Sequence, residues 1–190
     1  MRAGFFVDCG IEYHIGDSSE TIAFPDGSFD MVLSSFGASF FPDHQRAIDE
    51  MLRVTRPGGT IGLTLWAEAS LPSDFFRAGQ AFEASTAMDK LQPAFFWGNG
   101  SYLRQKLRGR SSAIRIVSGS FESCFTSFEA YVESHVKYHP PAILRMAAYN
   151  EEQRERYKQM LRTIAERYNR ATDGTAAIYI EYLIVIITKV

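Results

Sequence analysis

Chemistry in this 190-residue chain has few places to reside, and the four histidines come first. His135 and His139 stand four residues apart, a spacing that can put two imidazoles on one helix face as metal ligands. No Glu-His signature surrounds them and Pro140 follows at once, so no metal site is expected. His14 falls in a strand-like run and His44 at a helix start. Either could act as a general base. His44, just past the end of a strand, is the better placed, although a single histidine is more often structural. Tyr131 and Tyr138 could position a polar group of a substrate. Phe95, Phe96 and Trp97 form an aromatic knot between Pro93 and Gly98 that reads as an apolar substrate-binding surface; the competing reading is a cap core that never meets substrate. Gly16-Asp17-Ser18-Ser19 is not a nucleophile elbow, and no serine-histidine-acid pattern supports acyl transfer. Cys9 and Cys124 lack CxxC spacing, which argues against a zinc site and a disulfide framework.

The elements that must hold such residues need a core, and 46% apolar residues supply one of globular type. A net charge of -2 gives no global attraction to nucleic acid or anionic membrane. Arg104, Lys106, Arg108 and Arg110 read as a solvated basic face. Reduced thiols, the absence of a signal-like start and a longest apolar run of only Tyr182 to Ile187 point to the cytoplasm.

Along the chain, Ile11 to Ile15 reads as a short strand, Phe24-Pro25-Asp26-Gly27-Ser28 as a turn, and Phe29 to Ser34 as a buried strand. Pro42-Asp43 opens a helix with Ala47, Ile48, Met51 and Leu52 on one face, and Arg56-Pro57-Gly58-Gly59 stops it. Thr60 to Trp66 is the next strand. Strand, helix, Pro-Gly-Gly turn and strand make a βαβ unit, so the fold class is α/β with a parallel sheet. Further on, helices are predicted at Ser73 to Ala87, Ser101 to Leu107, Ser127 to Lys137 and Glu151 to Asn169. Ala113 to Phe125 and Ala176 to Val190 are predicted strands, the last of them β-branched and central. Pro140-Pro141 is read as ending the third of these helices.

Four linked strings carry a resemblance. They are Gly16-Asp17-Ser18, Phe24-Pro25-Asp26-Gly27-Ser28-Phe29-Asp30, Ser35-Phe36-Gly37 and Leu52-Arg53-Val54-Thr55-Arg56-Pro57-Gly58-Gly59. In order and spacing this resembles the middle of class I S-adenosylmethionine-dependent methyltransferases of the type 11 family. The resemblance implies a Rossmann-like sheet of seven strands ordered 3-2-1-4-5-7-6, with strand 7 antiparallel. Ile11 to Ile15 would be strand 3, Phe29 to Ser34 strand 4, Thr60 to Trp66 strand 5, the strand around Ile114 strand 6, and Ala176 to Val190 strand 7. A single domain follows. Residues 1–66, 99–126 and 171–190 would form its core, and residues 67–98 and 127–170 its helical cap and insertion. The implied function is methyl transfer from S-adenosylmethionine to a small-molecule acceptor. By the same resemblance Asp17 would accept from the adenine amino group, Ser18 would offer a backbone N–H, and Ser35 and Phe36 would lie under the methionine part.

The chain departs from the family at its start. Met1 to Gly10 carries Gly4 and Gly10 but no GxGxG loop, and no acidic residue that would hold the ribose. The expectation is therefore a partial sheet, strands 3 to 7 of an N-terminally truncated family member, with impaired cofactor binding. Strand 4 would then present an apolar edge, which a homodimer could cover. The alternative expectation is a non-enzymatic remnant acting as a binding or dimerisation module. A third is a binder of lipophilic ligands.

Overall fold

The computed structural model describes residue 12 and residues 21–41, 43–82 and 94–190; the side chains of residues 80–82, 94 and 95 stand outside that description. The predicted strand at Ile11 to Ile15 falls, apart from Glu12, outside the described residues. The first described elements are β1 (Phe29–Ser35), α1 (His44–Val54) and β2 (Thr55–Trp66), the predicted βαβ unit. Asp43 caps α1 by accepting from the Arg46 N–H at 3.0 Å. The helix buries Ala47, Ile48, Met51 and Leu52, the predicted face. It stops at Val54, and the strand starts at once, earlier than Thr60. Phe29 pairs with Thr55 but Met31 pairs with Thr60, so the Arg56-Pro57-Gly58-Gly59 stretch bulges out of the ladder. Gly58 takes a φ of 71° there, open to glycine at little cost.

The remaining strands are β3 (Ser111–Phe125) and β4 (Ala176–Lys189), and the sheet order is β1-β2-β4-β3. β1 and β2 pair in parallel, and β4 runs antiparallel to both β2 and β3. Strand β4 alone is reversed, and it sits between β2 and β3. This is the 4-5-7-6 portion of the expected sheet. Rows of paired residues run across it: Ile61 and Ile114 flank Ile187, and Leu63 and Ile116 flank Val185. Together with α1, Trp97, Leu103 and Leu107 they form the first core. Each fully buried side chain of this kind contributes about 1.5–3 kcal/mol.

Strand β4 changes its covered face along its length. Leu183, Val185 and Ile187 are buried in the first core, whereas Ala176, Ile178 and Ile180 are buried in a second. The register against β3 is continuous from Ala113↔Thr188 to Phe125↔Ala176, so no bulge makes the switch. Side chains alternate across a strand, so the two cores lie on opposite faces of the sheet at opposite ends. Pairing with β2 ends at Trp66↔Tyr182, and beyond it β3 and β4 continue as a two-stranded ribbon. That ribbon overhangs the carboxyl end of β2.

Helices α2 (Leu71–Phe82), α4 (Phe128–Tyr138), α5 (Pro140–Ala148) and α6 (Glu151–Glu166) build the second core; α3 (Gly100–Lys106) belongs to the first. Helix α2 begins two residues earlier than predicted, because Pro72 is tolerated in a first turn. Ser127 caps α4 through the Ala130 N–H, and Asn150 forms a reciprocal capping box with Gln153 on α6. Pro140-Pro141 does not simply end a region: the two prolines occupy the first turn of α5, a helix the sequence reading missed. Helix α6 ends at Glu166 rather than Asn169, because Tyr168 and Asn169 bind β4 instead. The Tyr179 N–H donates to the Tyr168 carbonyl, and the Ala177 N–H to Asn169 Oδ1.

The face of the sheet below the cap helices is open. Leu33 is 70% exposed and Met31 54%, with Val117 and Ile186 also exposed. Among the described residues, β1 is an edge strand.

Candidate functional site

In open α/β sheets, ligands bind at the carboxyl ends of the parallel strands. Here those ends are Ser35-Phe36 on β1 and Trp66 on β2. Phe36 holds a left-handed backbone, φ 57° and ψ -9°, the one described non-glycine residue with positive φ. Such a conformation is costly and persists only where its surroundings enforce it. The enforcement is visible. The Phe36 N–H donates to the Thr64 carbonyl at 3.0 Å and to Thr64 Oγ1 at 3.1 Å, and its ring stacks on Trp66 at 3.9 Å. Thr64 Oγ1 donates in turn to Ser35 Oγ at 3.2 Å, leaving an exposed hydroxyl pair at the strand end. Tyr182 packs edge-on against Phe36.

Trp66 also lines a cavity of about 180 Å³ under the overhang. Its other walls come from α2 (Phe75, Phe76), α4 (Tyr131, His135), α5 (His139, Arg145), α6 (Tyr157) and Ile180 of the ribbon. One indole therefore separates the Phe36 ledge from the cavity. Residues as distant in sequence as Trp66 and Tyr157 meet because the ribbon carries the insertion helices back over the sheet end.

The cavity is apolar with a few converging polar groups, the usual constitution of a ligand site. Burial pushes the His135 imidazole down to about 3, with His139 and Arg145 adding to the effect. His139 is lowered as well, by burial and then by Arg145. Both rings are thus neutral at physiological pH, and His139 Nδ1 has no hydrogen-bond partner among the described residues. Burial also drives the Tyr131 phenol upward, beyond the ordinary range. Arg145 is 8% exposed and lies 5.8 Å from the Tyr157 ring centroid. Its guanidinium rests on the α2 backbone at Gly79, where an added Cβ would lie 2.7 Å from Nη2.

Of the expected cofactor residues, the structure places Ser35 and Phe36 at the carboxyl end of β1, while Asp17 and Ser18 lie outside the described residues. The described part of that set is a hydroxyl pair, Ser35 and Thr64, beside the Phe36–Trp66 stack. Of the expected substrate residues, Phe96 is 38% exposed and stacks on Tyr102. The side chain of Phe95 is outside the description. Trp97 is fully buried in the first core against His44, not at the cavity, because its bulk fills the space between the sheet and α1. His44 is a core residue as well. It is buried, bonded through Nδ1 to the Tyr102 hydroxyl at 3.0 Å, and held down at about 4 by desolvation. Tyr138 is exposed on the outside of α4, whereas Tyr131 does line the cavity. His14 and Cys9 lie outside the described residues, and Cys124 is exposed. The described residues hold no group of three or more side chains that could bind a metal, and no helix long and apolar enough to cross a membrane.

Two contributors escaped the sequence reading. Arg145 sits on α5, whose opening proline pair reads in the sequence as a stop. Arg53, within the linked strings, is a clamp: it binds both Glu50 oxygens at 2.8 Å, the Ile22 and Phe24 carbonyls at 2.8 Å, and Asp26 at 2.9 Å. Glu50 also accepts from the Ile22 N–H. The pair fixes the turn before β1. Hydrogen bonds from Arg53 and Ile22 push the Glu50 carboxyl down to about 2.

Comparison with known proteins agrees with this architecture. A structure from Bacillus halodurans C-125, provisionally assigned as a methyltransferase, superposes with a TM-score of 0.55 at 17% identity, covering 94% of this chain and 78% of that one. A protein from Anabaena variabilis, provisionally assigned as a methyltransferase of an antibiotic biosynthesis pathway, gives 0.52 at 19% identity, covering 90% and 70%. The fold is the Rossmann-like one that these structures share. Within it, residues 2–63 match the type 11 methyltransferase family, described as a methyltransferase domain, and the chain's resemblance to that family holds.

The curated relatives carry little functional detail. An uncharacterized protein of Mycobacterium tuberculosis H37Rv is 33% identical over 105 residues, 55% of this chain and 38% of that protein. A protein of Mycobacterium sp. strain KMS, named as an uncharacterized methyltransferase, is 44% identical over 68 residues, 35% of this chain and 27% of that protein. The matched part of the chain thus spans less than two fifths of the length of these relatives.

Proposed function

We propose that the protein takes part in S-adenosylmethionine-dependent methyl transfer to a small-molecule acceptor, as a cytoplasmic enzyme. The observation that carries this reading is the Phe36 ledge. The third of the linked strings falls there, the backbone is held left-handed there, and one indole divides it from a cavity. Ser35 and Phe36 would support the methionine part of the cofactor, and Asp17 and Ser18 its adenine. The cofactor supplies an electrophilic methyl group; the chain's own residues bind, orient and exclude water, which is most of what such a displacement requires. Trp66, Phe75 and Tyr131 would enclose the acceptor, with Phe96 further out and Trp97 supporting the ledge from the core. Met1 to Gly10 holds no GxGxG loop, so weak cofactor affinity is expected for residues 1–190 on their own.

Calorimetric titration with S-adenosylhomocysteine tests this. Binding that weakens when Ser35 and Phe36 are replaced supports it. Failure to bind even when an upstream strand, Gly loop and helix are joined to the chain would sink it.

A second reading has its own observation. Leu33 and Met31 leave apolar surface on the outermost described strand, which suits a non-enzymatic module that pairs with a second copy. A stable dimer in light scattering that dissociates when Leu33 is changed to Lys would favour it; a monodisperse monomer would count against it.

A further inference from the structure

We propose that the aromatic ledge holds the nitrogen end of the methyl acceptor, and that this acceptor is a small alkylated amine released as its more methylated ammonium; this rests on the methyltransferase reading above. Four rings close a loop at the carboxyl ends of β1 and β2. Phe36 stacks on Trp66 at 3.9 Å, Trp66 lies 6.4 Å from Phe121, Phe121 6.2 Å from Tyr182, and Tyr182 5.9 Å from Phe36, centroid to centroid. The loop is not core filling. Phe121 is 41% exposed, and Phe36, Trp66 and Tyr182 are each half-buried. Gly119 lets the loop close: a Cβ added there would lie 2.5 Å from Tyr182 Cζ, so the tyrosine ring lies across the bare backbone of β3.

Strand register sets these rings beside the place given to the methyl donor. Ser35 pairs with Thr64; two residues on, Trp66 pairs with Tyr182, which pairs with Gly119. Side chains two apart on a strand share a face. The Ser35–Thr64 hydroxyls and the rings thus occupy neighbouring rows of one face, about 7 Å apart. A nitrogen over Phe36, Tyr182 and Phe121 is then on the same side of Trp66 as the donor, with no indole between them. Only the nitrogen end is assigned to the ledge; the enclosure by Phe75 and Tyr131 concerns the remainder of the acceptor.

Charge decides the class. The face of an aromatic ring is the negative end of its quadrupole and attracts a cation within about 6 Å of its centroid; several rings together recognise methylated ammonium groups. Of the strand residues on this face, Arg115 alone is charged. It stands four residues along β3 from Gly119, about 13 Å, beyond the screening length of about 8 Å at physiological salt. No carboxylate stands among these strand residues, so the attraction is that of the rings. That favours an alkylated ammonium over a strongly hydrated primary one.

The chemistry balances. The amine reacts in its neutral form, having lost any ammonium proton to water. One C–N bond forms as one C–S bond breaks, and the electron pair of that bond stays on sulfur. The positive charge passes from sulfur to nitrogen, beside the same rings throughout. An N–H proton left on the product goes to water afterwards, so no protein base is needed.

Choline and 3,3-dimethyl-1-butanol have one shape and differ in charge. Each is titrated into the purified chain while the ring protons of Phe36, Phe121 and Tyr182 and the Trp66 indole N–H are followed by NMR. Choline is expected to bind at least about fivefold more tightly, with its largest shifts at these rings. Phe121→Leu should reduce that preference about threefold; the residue is exposed enough for the variant to fold. Equal binding of the two probes, no binding of choline, largest shifts at cavity residues such as His135, or an unchanged preference in Phe121→Leu would overturn the proposal. S-adenosylhomocysteine binding without choline preference overturns the acceptor class alone. Choline preference in a chain that never binds S-adenosylhomocysteine, upstream segment included, overturns the role in methyl transfer and leaves only a cation site.

Discussion

The rings of His135 and His139 stack face to face in the wall of the cavity, centroids 4.5 Å and planes 22° apart. Stacked imidazoles that cannot both carry charge store a pH dependence. Both have folded pKa values below the ordinary 6.5, His135 at about 3, so the unfolded chain binds more protons between those values. Their contribution to stability is complete above pH 6.5 and is lost as the pH falls toward 3. Carboxylates such as Glu50 act in a lower window, below 4.5. The unfolding free energy should therefore fall between pH 6.5 and 4.5, by at most about 1.4 kcal/mol per pH unit for each histidine, and the melting temperature with it. His135→Phe should flatten that slope; an unchanged slope would show that the ring is not desolvated.

Gly79→Ala tests how tightly Arg145 is packed on α2. The new methyl group would meet the tip of Arg145, a flexible group that can move aside, while alanine gains up to about 1 kcal/mol of helix propensity. Thermal stability is expected to hold or rise. A loss of more than about 1 kcal/mol in urea unfolding would show that the guanidinium cannot yield to the methyl group.

Trp97 and Phe96 are neighbours with different duties. Trp97→Ala should cost about 3–5 kcal/mol in urea unfolding, as for a fully buried aromatic side chain. Phe96→Ala should cost only about 1 kcal/mol, mostly its stack on Tyr102. Similar losses for both would mean that the core boundary runs differently.

Arg53→Lys keeps the charge and loses the fork. A lysine cannot reach Glu50, Asp26 and two carbonyls together. Amide hydrogen exchange at residues 22–27 should speed up, with little change in α6. Unaltered exchange would show that the turn is held by other contacts.

Much of this was legible in the chain itself. Local patterns are read by local interactions, so the Asp43 cap, the apolar face of α1 and the Asp173-Gly174 turn ahead of β4 needed no tertiary knowledge. Turn chemistry and the apolar run placed a strand end near Ser35 and Phe36, because both are written in adjacent residues. The place of β4 between its neighbours came only from the family resemblance that the linked strings carry, since no local pattern encodes strand order. The prolines of α5 misled for the same reason: a proline pair reads as a stop until its place in a first turn is known.

Tertiary structure alone decided the rest. The change of covered face in β4 depends on which helices reach each end of the sheet, not on the alternation of its side chains. The cavity depends on that change, since Trp66, Phe75, His135, Arg145 and Tyr157 share no sequence pattern and meet only under the ribbon. His135 and His139 carried their helical spacing in the sequence, but the desolvation that keeps them neutral belongs to the packed molecule. Spacing is a property of the chain; burial and electric field are sums over everything that packs around it.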